Sequence, residues 1–173
     1  GLNPSFTAGY GLGIAVIVPG PVALTIIHET VGSGPLLVLV FCIIVWSGDI
    51  FAYFIGRAWG TRKLALAISP GKTLEGTLGG VAGAVVAGML CYGLWHTSGA
   101  LAVFNSETWL VMVISVSVVS VVGDLAESVV KRNAGQKDSG SLLPGHGGVL
   151  DRVDGLLSSA PILGVWLIAL GVF

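Results

Sequence analysis

Charge is what this sequence has least of. Asp, Glu, Lys and Arg make up 10% of 173 residues, against roughly 25% in an average chain. With 54% hydrophobic residues and a mean hydropathy of +0.93, the composition excludes an ordinary soluble domain. Cysteine is equally sparse. Cys42 and Cys91 lie far apart inside apolar runs, with no CxxC or Cys/His spacing, so packing explains both and no redox compartment follows. The start lacks a Met and the n-region, h-region and cleavage-site pattern of a signal peptide. Its helix-poor opening GLNPSFTAGYG suggests a chain recorded without an N-terminal part. The net charge of −1 identifies no partner, because the two signs are segregated along the chain, and no nucleic-acid partner is expected.

What fills the chain is a series of apolar segments near the ~20 residues that span a bilayer. Five are expected: 12–29, 35–56, 77–95, 108–123 and 155–173. Pro19 and Pro21 should kink or split the first, or make it re-entrant. The segment 108–123 runs without a breaker into 124–133, which predicts one long helix leaving the membrane. Small residues recur every fourth position at Gly76, Gly80, Ala84 and Gly88, and again at Gly79, Gly83 and Ala87. Such ladders let helix backbones approach closely, inside a chain or across a homodimer. The expected fold is therefore an all-α, polytopic integral membrane protein of about five helices, residues 1–173 forming one transmembrane domain. Trp46, Trp59, Trp95, Trp109 and Trp166 fall mostly near span ends, as interfacial anchors do.

All eight Lys and Arg lie in two connections, 57–76 and 131–152, separated by two spans. Under the positive-inside rule both face the cytoplasm, so they can build one site. The stretch 124–154 is the densest in charge, holding Asp124, Glu127, Asp138, Asp151 and Asp154 together with Lys131, Arg132, Lys137 and Arg152. If 124–132 is helical, seven residues at 100° return Lys131 to within about 20° of Asp124, with Ser128 close by. Pro144-Gly145-His146-Gly147-Gly148 cannot be a helix interior; it reads as a tight turn whose amides could cradle phosphate. A His between glycines is about as often a turn residue as a ligand. Asp151, Arg152 and Asp154 then open the last span, where an anion site would form. Hard oxygen donors beside Lys and Arg point to Mg²⁺ held by carboxylates and substrate phosphates; one His without Cys makes a poor zinc site.

The upstream stretch Ser69-Pro70-Gly71-Lys72-Thr73-Leu74-Glu75-Gly76 contains a GKT core, but a Walker motif would need Gly where Leu66 stands. A short phosphate-contacting loop of Ser69, Lys72 and Thr73 remains, as does a helix cap by Ser69 or Thr73. Asp49 is ionisable inside an apolar span, a costly placement that marks function by default. Tyr53 and Arg57 follow it along one side of the helix; a structural Asp49–Arg57 pair or an interhelical hydrogen bond is the alternative.

Together these residues match a pattern. Ser128-x2-Lys131-Arg132-x4-Lys137-Asp138-x5-Pro144-Gly145-His146-Gly147-Gly148-x2-Asp151-Arg152-x-Asp154 sets thirteen positions within 27 residues. It resembles the signature of the phosphatidate cytidylyltransferases, the CDP-diacylglycerol synthases. Ser69-Pro70-Gly71-Lys72-Thr73-x-Glu75-Gly76 and Asp49-x3-Tyr53-x2-Gly56-Arg57 resemble upstream motifs of the same family, so the likeness covers most of 46–160. Leu74 departs from it, standing where the family often has Trp. The family usually has more spans, so the chain resembles its C-terminal, catalytic part.

The resemblance implies that CTP and phosphatidic acid react to CDP-diacylglycerol and pyrophosphate at a cytoplasm-facing site, in a bacterial inner membrane. It implies Asp124, Asp151 and Asp154 as Mg²⁺ ligands, with a second cation conceivable. Lys72, Lys131, Arg132, Lys137, His146 and Arg152 would carry catalysis by neutralising phosphates. Ser69, Thr73, Ser128, Gly147, Gly148, Asp49 and Tyr53 would bind substrate, the last two on the lipid side. Competing readings are a CTP-dependent lipid kinase, a cytidylyltransferase of another lipid phosphate, and a transporter. The last would spread charges through several spans, whereas here they gather on one side.

Overall fold

The computed structural model of the chain describes residues 18–66, 68–97, 101–136, 138–140 and 148–172. Five helices account for most of them: α1 (Pro19–Thr30), α2 (Gly34–Trp59), α3 (Leu74–Trp95), α4 (Ser106–Asn133) and α5 (Leu150–Ala169). The last four are long and apolar enough to cross a membrane. The protein is a polytopic integral membrane protein. α2, with 26 residues, reaches about 39 Å at 1.5 Å per residue, more than the ~30 Å hydrocarbon core.

The first apolar segment resolves differently from a kinked span. Pro19 and Pro21 open α1 rather than break it, because the first turn has amides with no helical partner to lose. α1 has 12 residues, about 18 Å, and packs on α5 and α2. Its Gly20 lies on the Leu157 carbonyl, the group that Pro161 within α5 leaves without its usual amide partner. The region before it, residues 12–17, is outside the described residues.

The fold is not purely helical. Between α2 and α3 an antiparallel hairpin pairs β1 (Lys63–Ala65) with β2 (Ser69–Thr73), in the register Lys63 to Thr73 and Ala65 to Ser69. Pro70 and Gly71 are poor helix formers, so the GKT stretch is a strand that stops at a helix start. Thr73 is that start: its Oγ1 accepts the Gly76 amide at 3.1 Å, capping α3. Asn105 does the same for α4, accepting the Thr108 amide at 2.8 Å.

The glycine ladder of α3 is used against α2. A Cβ at Gly80 would stand 2.7 Å from the Gly48 carbonyl oxygen, and one at Gly76 would stand 2.8 Å from that of Ala52. Only hydrogen fits there, so the two backbones touch and the ladder is spent inside the chain. Across from it, α4 and α5 complete the core with Trp109, Met112, Val113, Val116, Leu163 and Leu167, against Leu37, Val40, Phe41 and Ile44 of α2. The Trp109 indole donates to the Gly88 carbonyl at 2.8 Å, and Trp166 donates to Ser115 Oγ at 2.9 Å. Both are therefore bonded across helices as well as placed near span ends.

Candidate active site

α4 continues unbroken through residues 124–133, as the absence of a breaker predicts, and carries Asp124 to its polar end. Here the two charged connections meet. Lys72, at the end of β2, forms an ion pair with Asp124 of α4. Two spans lie between them in sequence, so both connections are on one side of the bundle.

Glu75 sets the height of the hairpin. Its carboxylate accepts the Thr61 amide at 3.1 Å, the Thr61 hydroxyl at 2.8 Å and the Arg62 amide at 3.1 and 3.2 Å. The Leu74 amide adds a bond to the Arg62 carbonyl at 2.8 Å. These bonds tie the chain leaving α2 to the first turn of α3, and Lys72 lies in the strand between.

A second cluster lies beyond Asp124. Lys131 is held between Asp151 at 2.6 Å and Glu127, one turn away on its own helix, at 3.4 Å. The seven-residue spacing that aligns Lys131 with Asp124 angularly also separates them by about 10.5 Å along the axis, so they share a face without pairing. Ser128 is nearer, with its hydroxyl 3.5 Å from Asp124 Oδ1. Asp151 also gathers the returning loop, accepting the Ser139 amide at 2.9 and 3.1 Å and the Gly148 amide at 2.8 Å. Where α4 and α5 cross, Gly155 faces Ser120 and Gly123 faces Ser158, which brings Asp154 up to Glu127 and within the field of Asp124.

Part of this network borders a cavity of about 1050 Å³. Asp49, Tyr53 and Arg57 line it from α2, Ser69, Lys72 and Thr73 from the hairpin, Asp124 from α4, and Asp151, Arg152 and Asp154 from α5. Four carboxylates and three cations thus share a chamber whose upper wall is apolar.

The donor set suits a hard cation. Both Glu127 oxygens are buried beside Asp154, and the ion pair of Oε2 with Lys131 at 3.4 Å is a long one. Among the described residues no three His, Cys, Asp or Glu side chains form a ready-made chelate. Mg²⁺ usually takes one or two protein carboxylates and fills its octahedron with water and substrate phosphates. Asp124 and Asp154 keep open lone pairs; Asp151 would have to release one of its loop bonds to join them.

A family model described as the cytidylyltransferase family matches residues 5–170. The chain belongs to that family. Among its relatives, the phosphatidate cytidylyltransferase of Brucella abortus (biovar 1, strain 9-941) is 54% identical over 120 residues, 69% of this chain and 42% of that protein. The protein of the same name from Haemophilus influenzae is 43% identical over 148 residues, 83% of this chain and 50% of its own. That from Pseudomonas aeruginosa is 43% identical over 161 residues, 93% and 58%. The chain spans about half the length of the curated relatives it matches.

Of the cytidylyltransferase residues singled out in the sequence, nine line the cavity: Asp49, Tyr53, Ser69, Lys72, Thr73, Asp124, Asp151, Arg152 and Asp154. Lys131, Ser128 and Gly148 stand behind it, bonded to Asp151 or Asp124. Arg132 points elsewhere, donating from Nε to the Ile68 carbonyl at 3.3 Å and from Nη1 to the Gln136 carbonyl at 3.2 Å, which ties α4 to the hairpin turn. Lys137, His146 and Gly147 lie outside the described residues. The Asp49–Arg57 pair does not form; Arg57 donates to the Tyr53 hydroxyl at 2.8 Å. Two residues named in the sequence were given no role there. Glu127 could have been found from its spacing, three after Asp124 and four before Lys131. The role of Glu75, a motif position, could not, because its partners lie in a loop 13 and 14 residues away.

Proposed function

We propose that this chain is the catalytic part of a phosphatidate cytidylyltransferase, which converts CTP and phosphatidic acid to CDP-diacylglycerol and pyrophosphate. The observation that carries this reading is the single cavity in which carboxylates and cations from α2, β2, α4 and α5 meet below an apolar wall. Such a chamber can take a phosphate from the bilayer and a nucleotide from water. The cavity is read as facing the cytoplasm of a bacterial inner membrane, from the placement of all Lys and Arg in two connections.

In this reading an oxygen of the lipid phosphate attacks the α-phosphorus of CTP in line. The new P–O bond forms as the bond to the β-phosphate oxygen breaks, and pyrophosphate leaves. The nucleophile is already an anion, so a strong general base is not required. Positioning and charge neutralisation dominate, as in other phosphoryl transfers. Lys72 can exchange the Asp124 carboxylate for a phosphate oxygen, and Arg152 meets the triphosphate from α5. Lys131, held by Glu127 and Asp151, sets the local charge behind them. Ser69 and Thr73 border the phosphate end, with Thr73 Oγ1 also serving as the α3 cap. Ser128 and Gly148 back the same end through Asp124 and Asp151, whereas Arg132, bonded to the hairpin turn, braces α4 rather than the phosphates. For Lys137, His146 and Gly147 the phosphate role is the one the family resemblance implies. Mg²⁺ at Asp124, Asp151 and Asp154, with room for a second cation, would supply charge neutralisation at the phosphoryl oxygens. A homodimer would use surfaces other than the Gly76–Gly80 ladder, which α2 already covers.

The test is an assay in detergent micelles with phosphatidic acid, Mg²⁺ and CTP labelled in the α-phosphate. Label entering the lipid phase with pyrophosphate release is expected. CDP accumulating over unlabelled lipid would instead identify a CTP-dependent kinase. No turnover, even in a chain extended to the length of the relatives, would overturn the enzyme reading.

A further inference from the structure

Arg57 stands apart from Lys72 and Lys131. Lys72 is neutralised by Asp124, and Lys131, behind the wall, by Asp151 and Glu127. Among the described residues no carboxylate pairs with Arg57; its bond is to the Tyr53 hydroxyl. That hydroxyl accepts from the guanidinium and so keeps its own proton to donate. An arginine and a phenol side by side, both lining a cavity, present convergent donors of the kind a phosphate monoester takes.

Towards the membrane interior the stripe that ends at Arg57 is apolar, with Asp49 at its edge and lining the same cavity. Trp46, Ile50, Tyr53 and Arg57 recur at spacings of four, three and four, which is one stripe of an α-helix, and all four line the cavity. Trp46 and Ile50 are about half exposed, at 50% and 54%. From Trp46 to Arg57 the helix rises about 16 Å, roughly half of the ~30 Å hydrocarbon core, the depth of one leaflet. Trp59, two residues on and exposed, marks the interface at the Arg57 end. An apolar track one leaflet deep, ending at headgroup level in a guanidinium without a carboxylate, has the shape and charge of a diacyl lipid with an anionic head.

We infer that the Trp46–Ile50–Tyr53–Arg57 stripe of α2 is the track on which the anionic lipid docks, with Arg57 and Tyr53 holding its phosphate. This rests on the cytidylyltransferase reading for the identity of the lipid, a phosphatidate. It divides the cavity: lipid phosphate at α2, nucleotide phosphates at β2 and α5.

The test is direct binding, apart from turnover. Phosphatidate with brominated acyl chains is titrated into the purified protein in micelles, and tryptophan quenching is followed. Arg57→Gln is expected to raise the half-saturating lipid fraction about tenfold, the loss of one charge-assisted contact. Arg57→Lys should fall between, while equilibrium binding of labelled CTP should stay within about twofold of wild type in both, as expected for a site the nucleotide does not touch. A quenching curve unchanged in Arg57→Gln, or a shift in CTP binding instead of lipid binding, overturns the assignment. If Arg57→Gln does not fold, wild type decides: equal half-saturation by brominated phosphatidate and brominated diacylglycerol overturns it. Arg57-dependent lipid binding without any nucleotidyl transfer would sink the transferase reading and leave this one standing. Transfer with an Arg57-independent lipid response would do the reverse.

Discussion

α2 has two faces made to opposite rules. Gly48, Ala52 and Gly56 turn small residues towards α3, and the glycines opposite leave no room for a Cβ. Trp46, Ile50, Tyr53 and Arg57 turn large or charged groups towards the cavity. The difference teaches where each kind of energy resides in a membrane protein. Helices cannot gain much from the hydrophobic effect when lipid is as apolar as Leu, so close backbone contact holds the bundle. The small face spends its residues on that contact, which leaves the other face open for ligands.

The cavity and the helix seam on either side of α2 should therefore fail in different ways. The largest effect is expected at the chemical side: Asp124→Asn should lower turnover by on the order of 100-fold or more while thermal unfolding in detergent barely moves, as for loss of an electrostatic catalytic group. An unfolding temperature that falls as far as activity would erase the distinction. Next, Gly80→Leu should destabilise by about 1–3 kcal/mol, the usual range for overpacking, with activity lost only in proportion to unfolded protein. Unfolding and turnover recorded on one preparation would show whether the two move together. A native melting curve would place α3 farther from α2 than the Gly80–Gly48 contact allows.

Smaller changes sharpen the boundary at the hairpin. Glu75→Ala removes the acceptor for three donors of Thr61 and Arg62. It should increase hydrogen exchange at those two amides, with turnover falling through Lys72. In a Lys72→Ala background the turnover part should vanish, a non-additivity that a general loss of folding would not give. Thr73→Ala should cost about 1 kcal/mol through the lost cap, read as a lower unfolding midpoint. The smallest effect is expected for Leu74→Trp, which restores the residue common in the resembled family. Leu74 is exposed, so a stability change within about 0.5 kcal/mol is expected by thermal unfolding.

The extent of the helices was legible because hydrophobic runs and breakers act locally. α4 could be read as one helix through residue 133 since nothing in VVGDLAESVVKRN stops it. The motif residues were legible as a set, because charges are rare in this chain and cluster when they occur. The hairpin was not. β1 has three residues, too short for any period to show, and its pairing depends on Glu75 holding the loop from outside. Nor was the role of Pro19 and Pro21, since a proline opens or breaks a helix according to where the chain begins to turn.

By itself the sequence determined that this protein lives in a membrane, where four of its five expected spans lie, and that two charged connections share a side. Each of these follows from composition and short-range order. Only the tertiary structure decided which charge meets which. Lys131 shares an α4 face with Asp124 yet binds Glu127 and Asp151, while Asp124 takes Lys72 from a hairpin 52 positions earlier. Ion pairing falls off over a few ångströms, and such distances between segments are set by how closely helices pack. The glycines of α3 decide that.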